Sequence, residues 1–396
     1  MCIRKPSQSV NITMEPKDKL GFYLVGDRKF YAKSLALMAQ KETGIPTKWF
    51  FNREVFQKID WSIPIDLGLD ELYRRRAQQL RENYDYLMLY YTGGQDSMNM
   101  LHVFLENNIF IDEIVMQWPE PMRSTFNDQD RSEANVWSEF EFAAAAHIRK
   151  ISGLLPSGTR ISYQDYSRPL IELLEQDDWW ESLPMSTNIT VSGIGRQIAP
   201  LRDRNLLRLN ERSRSVAQIL GIDKPLIWIN DADQYHAYFM DVNCTHAPPL
   251  SSQFLVTKNG NIHFDSGVVT EYFYWTPDLP ELVVKQSQLL KAACENNPSL
   301  RHWWKQHQTD HIVHFRDIMQ SVIYTRSPLP EFQTGKLSAR IRRPADRWFW
   351  ESASSKVKSN YLEAIFYLGK NIDPSGFHNQ DCTQGFASHQ DGGYQL

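Results

Sequence analysis

The sequence predicts an α/β protein built on a doubly wound, mostly parallel five-stranded sheet. Three observations carry that expectation. Short apolar runs alternate with amphipathic helix patterns between residues 85 and 230, which is the order that βαβ units require. The first of those runs ends at a Gly-Gly pair, Gly93-Gly94, and passes straight into a helix pattern, as a ligand-binding strand-to-helix turn does. The 396 residues are 42% hydrophobic and 23% charged, ordinary values for a globular chain long enough for two domains.

The elements follow in order. The first 19 residues are polar and carry no periodicity. GFYLVGDRKF reads as strand, and an Ala/Leu pattern from Lys33 to Lys41 as helix. LDELYRRRAQQLRENY, 69–84, places Leu69, Leu72, Tyr73, Ala77 and Leu80 on one helical face. DYLMLYY, 85–91, is a short apolar run suited to a strand buried on both faces. Met98, Leu101, Phe104 and Leu105 give the next helix, and EIVMQW, 113–118, the second strand. ANVWSEFEFAAAAHIRKI, 134–151, predicts a helix with Val136, Phe140, Ala144, His147, Ile148 and Ile151 on one face. TRISYQDY, 159–166, predicts a third strand, NITVSG, 188–193, a fourth, ERSRSVAQILG, 211–221, a helix, and PLIWIN, 225–230, the fifth strand. Beyond about residue 243, Asn259-Gly260 between apolar runs signals a hairpin, and residues 279–325 read as mainly helical. The expected organisation is an α+β extension over 1–84, the sheet domain over 85–243, a hairpin plus helical region over 244–375 and a flexible tail over 376–396.

Composition narrows the function. A net charge of −4 gives no global field toward nucleic acid or anionic lipid. No apolar run reaches the roughly 18 residues of a membrane span. The N-terminus lacks the apolar core of a signal peptide. Four cysteines, at 2, 244, 294 and 382, form no Cys-x-x-Cys pair, which fits a cytoplasmic protein better than a disulfide framework.

The stretch Thr92-Gly93-Gly94-Gln95-Asp96-Ser97 lies between the first strand and first helix of the alternating region. Glycines let backbone N–H groups approach an anion, and the following helix points its positive end at the same spot. Thr92 and Ser97 add hydroxyls, and Asp96 suits either a magnesium ion or a helix cap. A plain strand-turn-helix junction is the competing reading.

TGGQDS resembles the SGGxDS signature of the PP-loop superfamily, the N-type ATP pyrophosphatases, whose Rossmann-like sheet binds ATP. The resemblance implies cleavage of ATP between its α- and β-phosphates, with magnesium, and adenylation of an acceptor. It assigns Thr92, Gly93, Gly94, Gln95, Asp96 and Ser97 to the pyrophosphate, with Asp96 as metal ligand and Asp96, Ser97 and Arg196 as catalytic candidates. It assigns Met116 and Gln117, at the end of the second strand, to adenine, and Gly193, Gly195 and Arg196 in TVSGIGRQ to a second phosphate contact. Thr92 replaces the usual Ser and keeps its hydroxyl. Gln95 matches neither the thiolation nor the amidating members. The flanking segments look like PP-loop proteins of large tailed phages, which implies a host-cytoplasm setting and names no acceptor. The rival reading is a nucleotide-binding or structural protein on an inactive PP-loop fold.

The remaining motifs are weaker. Cys2 follows Met1 as in glutaminases, but its neighbours do not match, and residues 1–84, ahead of the first sheet strand, are too short for a glutaminase domain. Cys244, His246, His378, Cys382 and His389 have zinc-ligand chemistry without a standard spacing. His302, His307, His311 and His314 fall near helical spacing. The Arg-rich 201–214 suits an acidic substrate or a solvated helix. Lys336, Arg340, Arg342, Arg343 and Arg347 beside Trp348 and Trp350 suit single-stranded nucleic acid, a partner that the acidic chain disfavours. Asp231 and Asp233 suit a metal or, more commonly, a turn.

Overall fold

The computed structural model describes residues 19, 21–30, 33–132, 134–177, 179, 190–199, 215–221, 224–239, 268–307, 313–324, 344–368 and 393–396. β1 (Phe22–Val25) and β2 (Arg28–Phe30) form a hairpin turned at Gly26. α1 (Lys33–Thr43) then leads to β3 (Thr47–Phe50), which pairs antiparallel with the other edge of β1. α2 (Arg53–Phe56) and α3 (Leu69–Asn83) follow. The predicted apolar face of α3 is buried, and Arg76 is buried beside it. β4 (Tyr86–Tyr90), α4 (Gln95–Glu106) and β5 (Glu113–Trp118) match the expected elements. The long helix predicted over 134–151 is shorter: a π-helical stretch, Glu139–Ala144, runs into α5 (Ala145–Lys150). β6 (Arg160–Asp165) and α6 (Ser167–Leu174) come next.

Here the chain departs from the predicted order. Residues 190–193 are not strand but the start of α7 (Val191–Ile198). Thr190 caps that helix, its Oγ1 accepting from the Gly193 N–H at 3.1 Å. Val191, Ile194 and Ile198 are buried at helical spacing. Residues 216–220, expected as helix, form β7 (Val216–Leu220), in which all five residues are buried. β8 (Leu226–Ile229) is a strand as expected, but it pairs antiparallel with β9 (Tyr235–Tyr238), outside the parallel sheet. The fifth parallel strand is β10 (Val268–Tyr272), beyond residue 243. The Asn259-Gly260 hairpin lies outside the described residues.

α8 (Pro280–Asn296), α9 (Pro298–His307) and α10 (Val313–Ile323) make the C-terminal region helical, with α11 (Arg347–Ser352) and α12 (Ser355–Leu368) after them. Of the expected tail, residues 393–396 are held: β11 (Tyr394–Gln395) pairs with β9, and the Leu396 N–H bonds Tyr235 O at 2.9 Å.

The five-stranded sheet is all parallel, in the order β10-β7-β4-β5-β6. Counted along the chain this is the Rossmann-like arrangement, with the first strand central and the order reversing between β4 and β7. Ligand crevices open at such a reversal, beyond the strands' carboxyl ends. The N-terminal extension is tied to the sheet by a buried pair. Arg76 Nη2 on α3 meets Glu271 Oε2 on β10 at 2.7 Å, and Tyr84 donates to the other oxygen at 2.5 Å. Burial opposes ionisation of Glu271, but Arg76, Lys19 and the Tyr84 hydroxyl hold its carboxyl below the ordinary range. Among the described residues no helix is long and apolar enough to cross a membrane.

Candidate functional site

The loop 92–97 stands at the carboxyl end of β4, next to β7, at the reversal point of the sheet. Its two glycines have different reasons. Gly93 has φ +75°, and a Cβ there would lie 2.6 Å from Ala144 N in the π-helical stretch. Close packing therefore demands that glycine. Gly94 has an ordinary extended backbone, φ −79° and ψ 163°, and a Cβ would meet only Thr92 Oγ1 at 3.3 Å. Its bareness leaves the entrance of α4 open. Gly94 is the N-cap residue, and no side chain caps the helix. The first-turn N–H groups have no intrahelical acceptor, so this end carries the partial positive charge that binds anions.

The hydroxyls brace the loop. Ser97 is buried, donates to Gly94 O at 3.0 Å and accepts from the Thr92 N–H at 3.2 Å. Thr92 is exposed; its Oγ1 accepts from the Gly94 N–H at 3.3 Å and lies 3.4 Å from Ser97 Oγ. Gln95 begins α4 with an intermediate exposure.

Asp96 is the centre of the site. Its Oδ1 accepts from Lys224 Nζ at 2.6 Å, from Gln320 Nε2 at 3.0 Å and from the phenol of Tyr324. Tyr274 Oη donates to its main-chain O at 2.8 Å. A Cβ on Gly221, just past β7, would stand 3.2 Å from the Asp96 carbonyl carbon, so the two loops meet across the crevice. Lys224 is only 3% exposed and lies 5.3 Å from the Tyr274 ring centroid and 5.2 Å from that of Tyr324, a cation–π clamp. Burial opposes ionisation of Asp96, yet Lys224 and the hydrogen bonds from Tyr324 and Gln320 outweigh it and hold the carboxyl below its usual range. Burial, reinforced by the Asp96 charge, pushes the Tyr324 phenol well up, so it stays a donor.

One strand over, the main chain of β5 is half used. The Arg160 N–H bonds Asp112 O at 2.8 Å, so alternation turns Ile114 and Met116 toward β6, and Val115 and Gln117 toward β4. The Tyr91 N–H to Val115 O at 2.8 Å is the last β4–β5 main-chain bond among the described residues, and Gln117 lies one step beyond it. Met116 is buried with its main chain turned to β6. The Gln117 side chain donates to Gln164 Oε1 at 3.1 Å and to Arg196 O at 3.2 Å. Arg196 is thereby brought to the same sheet edge. Its guanidinium sits 6.0 Å from the Tyr166 ring centroid, and its Nε is buried without a hydrogen-bond partner among the described residues. Gly193 and Gly195 are helical rather than loop glycines: Gly193 supplies the capped N–H, and a Cβ on Gly195 would fall 2.5 Å from the Tyr166 ring.

The other candidates resolve differently. Asp231 and Asp233 are turn residues between β8 and β9; Asp233 has φ 61° and pairs with Arg301 at 2.9 Å and Lys305 at 3.0 Å. Trp348 is buried against Tyr166 and Phe349, so it is no stacking platform for bases, and Arg347 pairs with Glu351. His302 is exposed on α9. Cys2, Cys244, His246, His378, Cys382, His389, His311, residues 201–214 and residues 336–343 lie outside the described residues. Among the described residues, no three His, Cys, Asp or Glu side chains gather as a metal site.

Lys224, Tyr274, Gln320 and Tyr324 were invisible to motif reading. Lys224 had a signal: once VAQIL is read as a strand, GIDKP becomes its carboxyl-end loop. Gln320 and Tyr324 had none, because only tertiary folding brings them to Asp96.

No family model matches the sequence, and a search of curated proteins finds no match.

Proposed function

We propose that the protein is an ATP-dependent enzyme of PP-loop type, which cleaves ATP to AMP and pyrophosphate and transfers the adenylyl group to an acceptor. The observation that carries this reading is the uncapped N-terminus of α4 behind Gly94, set beside the buried Lys224 at the reversal point of a parallel sheet. Backbone N–H groups and a clamped cation together suit a chain of phosphates. Gln117, whose main chain faces the crevice, suits the adenine edge, and Arg196 a second phosphate oxygen.

Magnesium fits the site only with help. Asp96 offers one oxygen, Oδ2, that takes no hydrogen bond from a described residue, and its side chain is 36% exposed. A divalent ion held by one carboxylate completes its shell from phosphate oxygens and water. When bound, it would neutralise charge on the departing pyrophosphate. Lys224 neutralises Asp96 and adds positive charge beside the same crevice. The α4 N–H groups stabilise charge that grows on the leaving oxygens, and cost no reorganisation because the helix fixes them.

A second reading is a nucleotide-binding protein without turnover. The closed set of donors on Asp96 Oδ1 favours it. Product analysis separates the two. The protein is incubated with Mg-ATP and pooled metabolites and RNA, with Asp96→Ala as control. AMP plus pyrophosphate, absent in the variant, is the expected result. ADP plus phosphate contradicts the mechanism, and ATP binding without turnover favours the second reading.

A further inference from the structure

None of the three donors on Asp96 Oδ1 belongs to the loop signature, and two of them come from the C-terminal helical region. Gln320 sits in the last turn of α10, and Tyr324 follows its final residue. That end of α10 is itself fixed. Tyr73 Oη on α3 donates to Ile323 O at 2.7 Å, and Met319 and Ile323 are buried. Gln320 is 8% exposed, so its amide is a built part of the site and no solvated side chain. The Tyr324 ring packs 5.3 Å from that of Tyr274, which bonds the main chain of the same aspartate. All three donors choose Oδ1 and leave Oδ2 without a hydrogen bond from any described residue.

We infer that Gln320 and Tyr324 are positioning residues, which fix Asp96 as a one-oxygen ligand for a divalent cation carried by the nucleotide. This inference rests on the nucleotide reading above. Hydrogen bonds to one oxygen of a carboxylate set its rotation and decide which oxygen meets a metal. Lys224, though clamped, presents a round ammonium with no fixed bonding plane, so it sets charge more than orientation. The planar amide and the phenol, held by α10, supply the directionality. The C-terminal helical region thereby becomes part of the nucleotide site.

The test is a split between metal-free and metal-dependent binding. Equilibrium ATP affinity is measured with EDTA and with Mn²⁺ for the wild type, Tyr324→Phe and Gln320→Met, and bound Mn²⁺ is followed by its EPR spectrum. Tyr324→Phe removes one oxygen atom, and Gln320→Met keeps the side-chain length; thermal unfolding verifies that each folds. The expected result is unchanged metal-free affinity, with a metal-dependent gain about ten-fold smaller in each variant and an altered Mn²⁺ spectrum. Equal loss with and without metal, or a wild-type gain in both variants, overturns the inference. A wild type that binds ATP equally with and without Mn²⁺ overturns it while leaving the nucleotide reading in place. A wild type that binds no ATP overturns both.

Discussion

Single residues divide cleanly by cause. Gly93 and Gly94 are identical in sequence, but packing requires only the first. Gly93→Ala places a Cβ against the Ala144 backbone at φ +75°, and we expect a loss of about 2 kcal/mol or more, read from urea denaturation. The Ser97 hydroxyl donates to Gly94 O and so braces the loop in which it is expected to meet a phosphate. The motif was legible because glycines, hydroxyls and a carboxylate stood together after an apolar run. The partners of Asp96 were not, because Gln320 and Tyr324 reach it only through tertiary packing, with α10 lying on α8 and bonded to Tyr73 of α3.

Elements were legible where periodicity was unambiguous. α3 and β5 follow their patterns because one has a clear apolar face and the other is buried on both faces. The exchange between α7 and β7 has a physical reason. VSGIGRQI has two glycines that weaken a helix in isolation, but the Thr190 cap and burial of Val191, Ile194 and Ile198 offset them. Thr190→Ala should therefore cost about 1 kcal/mol, visible as a lower urea midpoint. VAQIL is short and has no period of its own; its place between β4 and β10 makes it a strand. The link from α3 to β10 is a further test. Glu271→Gln removes the closer counter-charge of the buried Arg76 and leaves only Asp278, 3.7 Å away, so a loss of about 3 kcal/mol is expected. Because the folded Glu271 carboxyl is held below its ordinary 4.5, its contribution is complete above that pH. That contribution is lost as pH falls through the lowered folded value. Urea midpoints measured against pH should show this acid-dependent component in the wild type and lack it in Glu271→Gln.

The whole molecule depends on strands gathered from distant parts of the chain. β4 lies between β5 and β7, and β10 closes the edge from beyond residue 243. Local pattern identifies a strand but not its neighbours, which is why the parallel sheet was foreseen and its fourth and fifth members were misplaced. The central strands β4, β5 and β7 should exchange amide hydrogens most slowly, and β2 and β11 fastest, as native-state exchange would show. The same strand order puts Gly94, Asp96 and Lys224 at one crevice. The sharpest measurement is equilibrium binding of Mg-ATP to the wild type and to Gly94→Ala. The backbone of Gly94 suits alanine, and a small shift of the Thr92 hydroxyl admits the Cβ, so folding stability should change little. Clear ATP binding by the wild type is expected, with about ten-fold weaker binding by Gly94→Ala, as a Cβ crowds the phosphate's approach to the α4 N–H groups. Absence of ATP binding by the wild type, or equal affinity in the two proteins, would contradict this expectation.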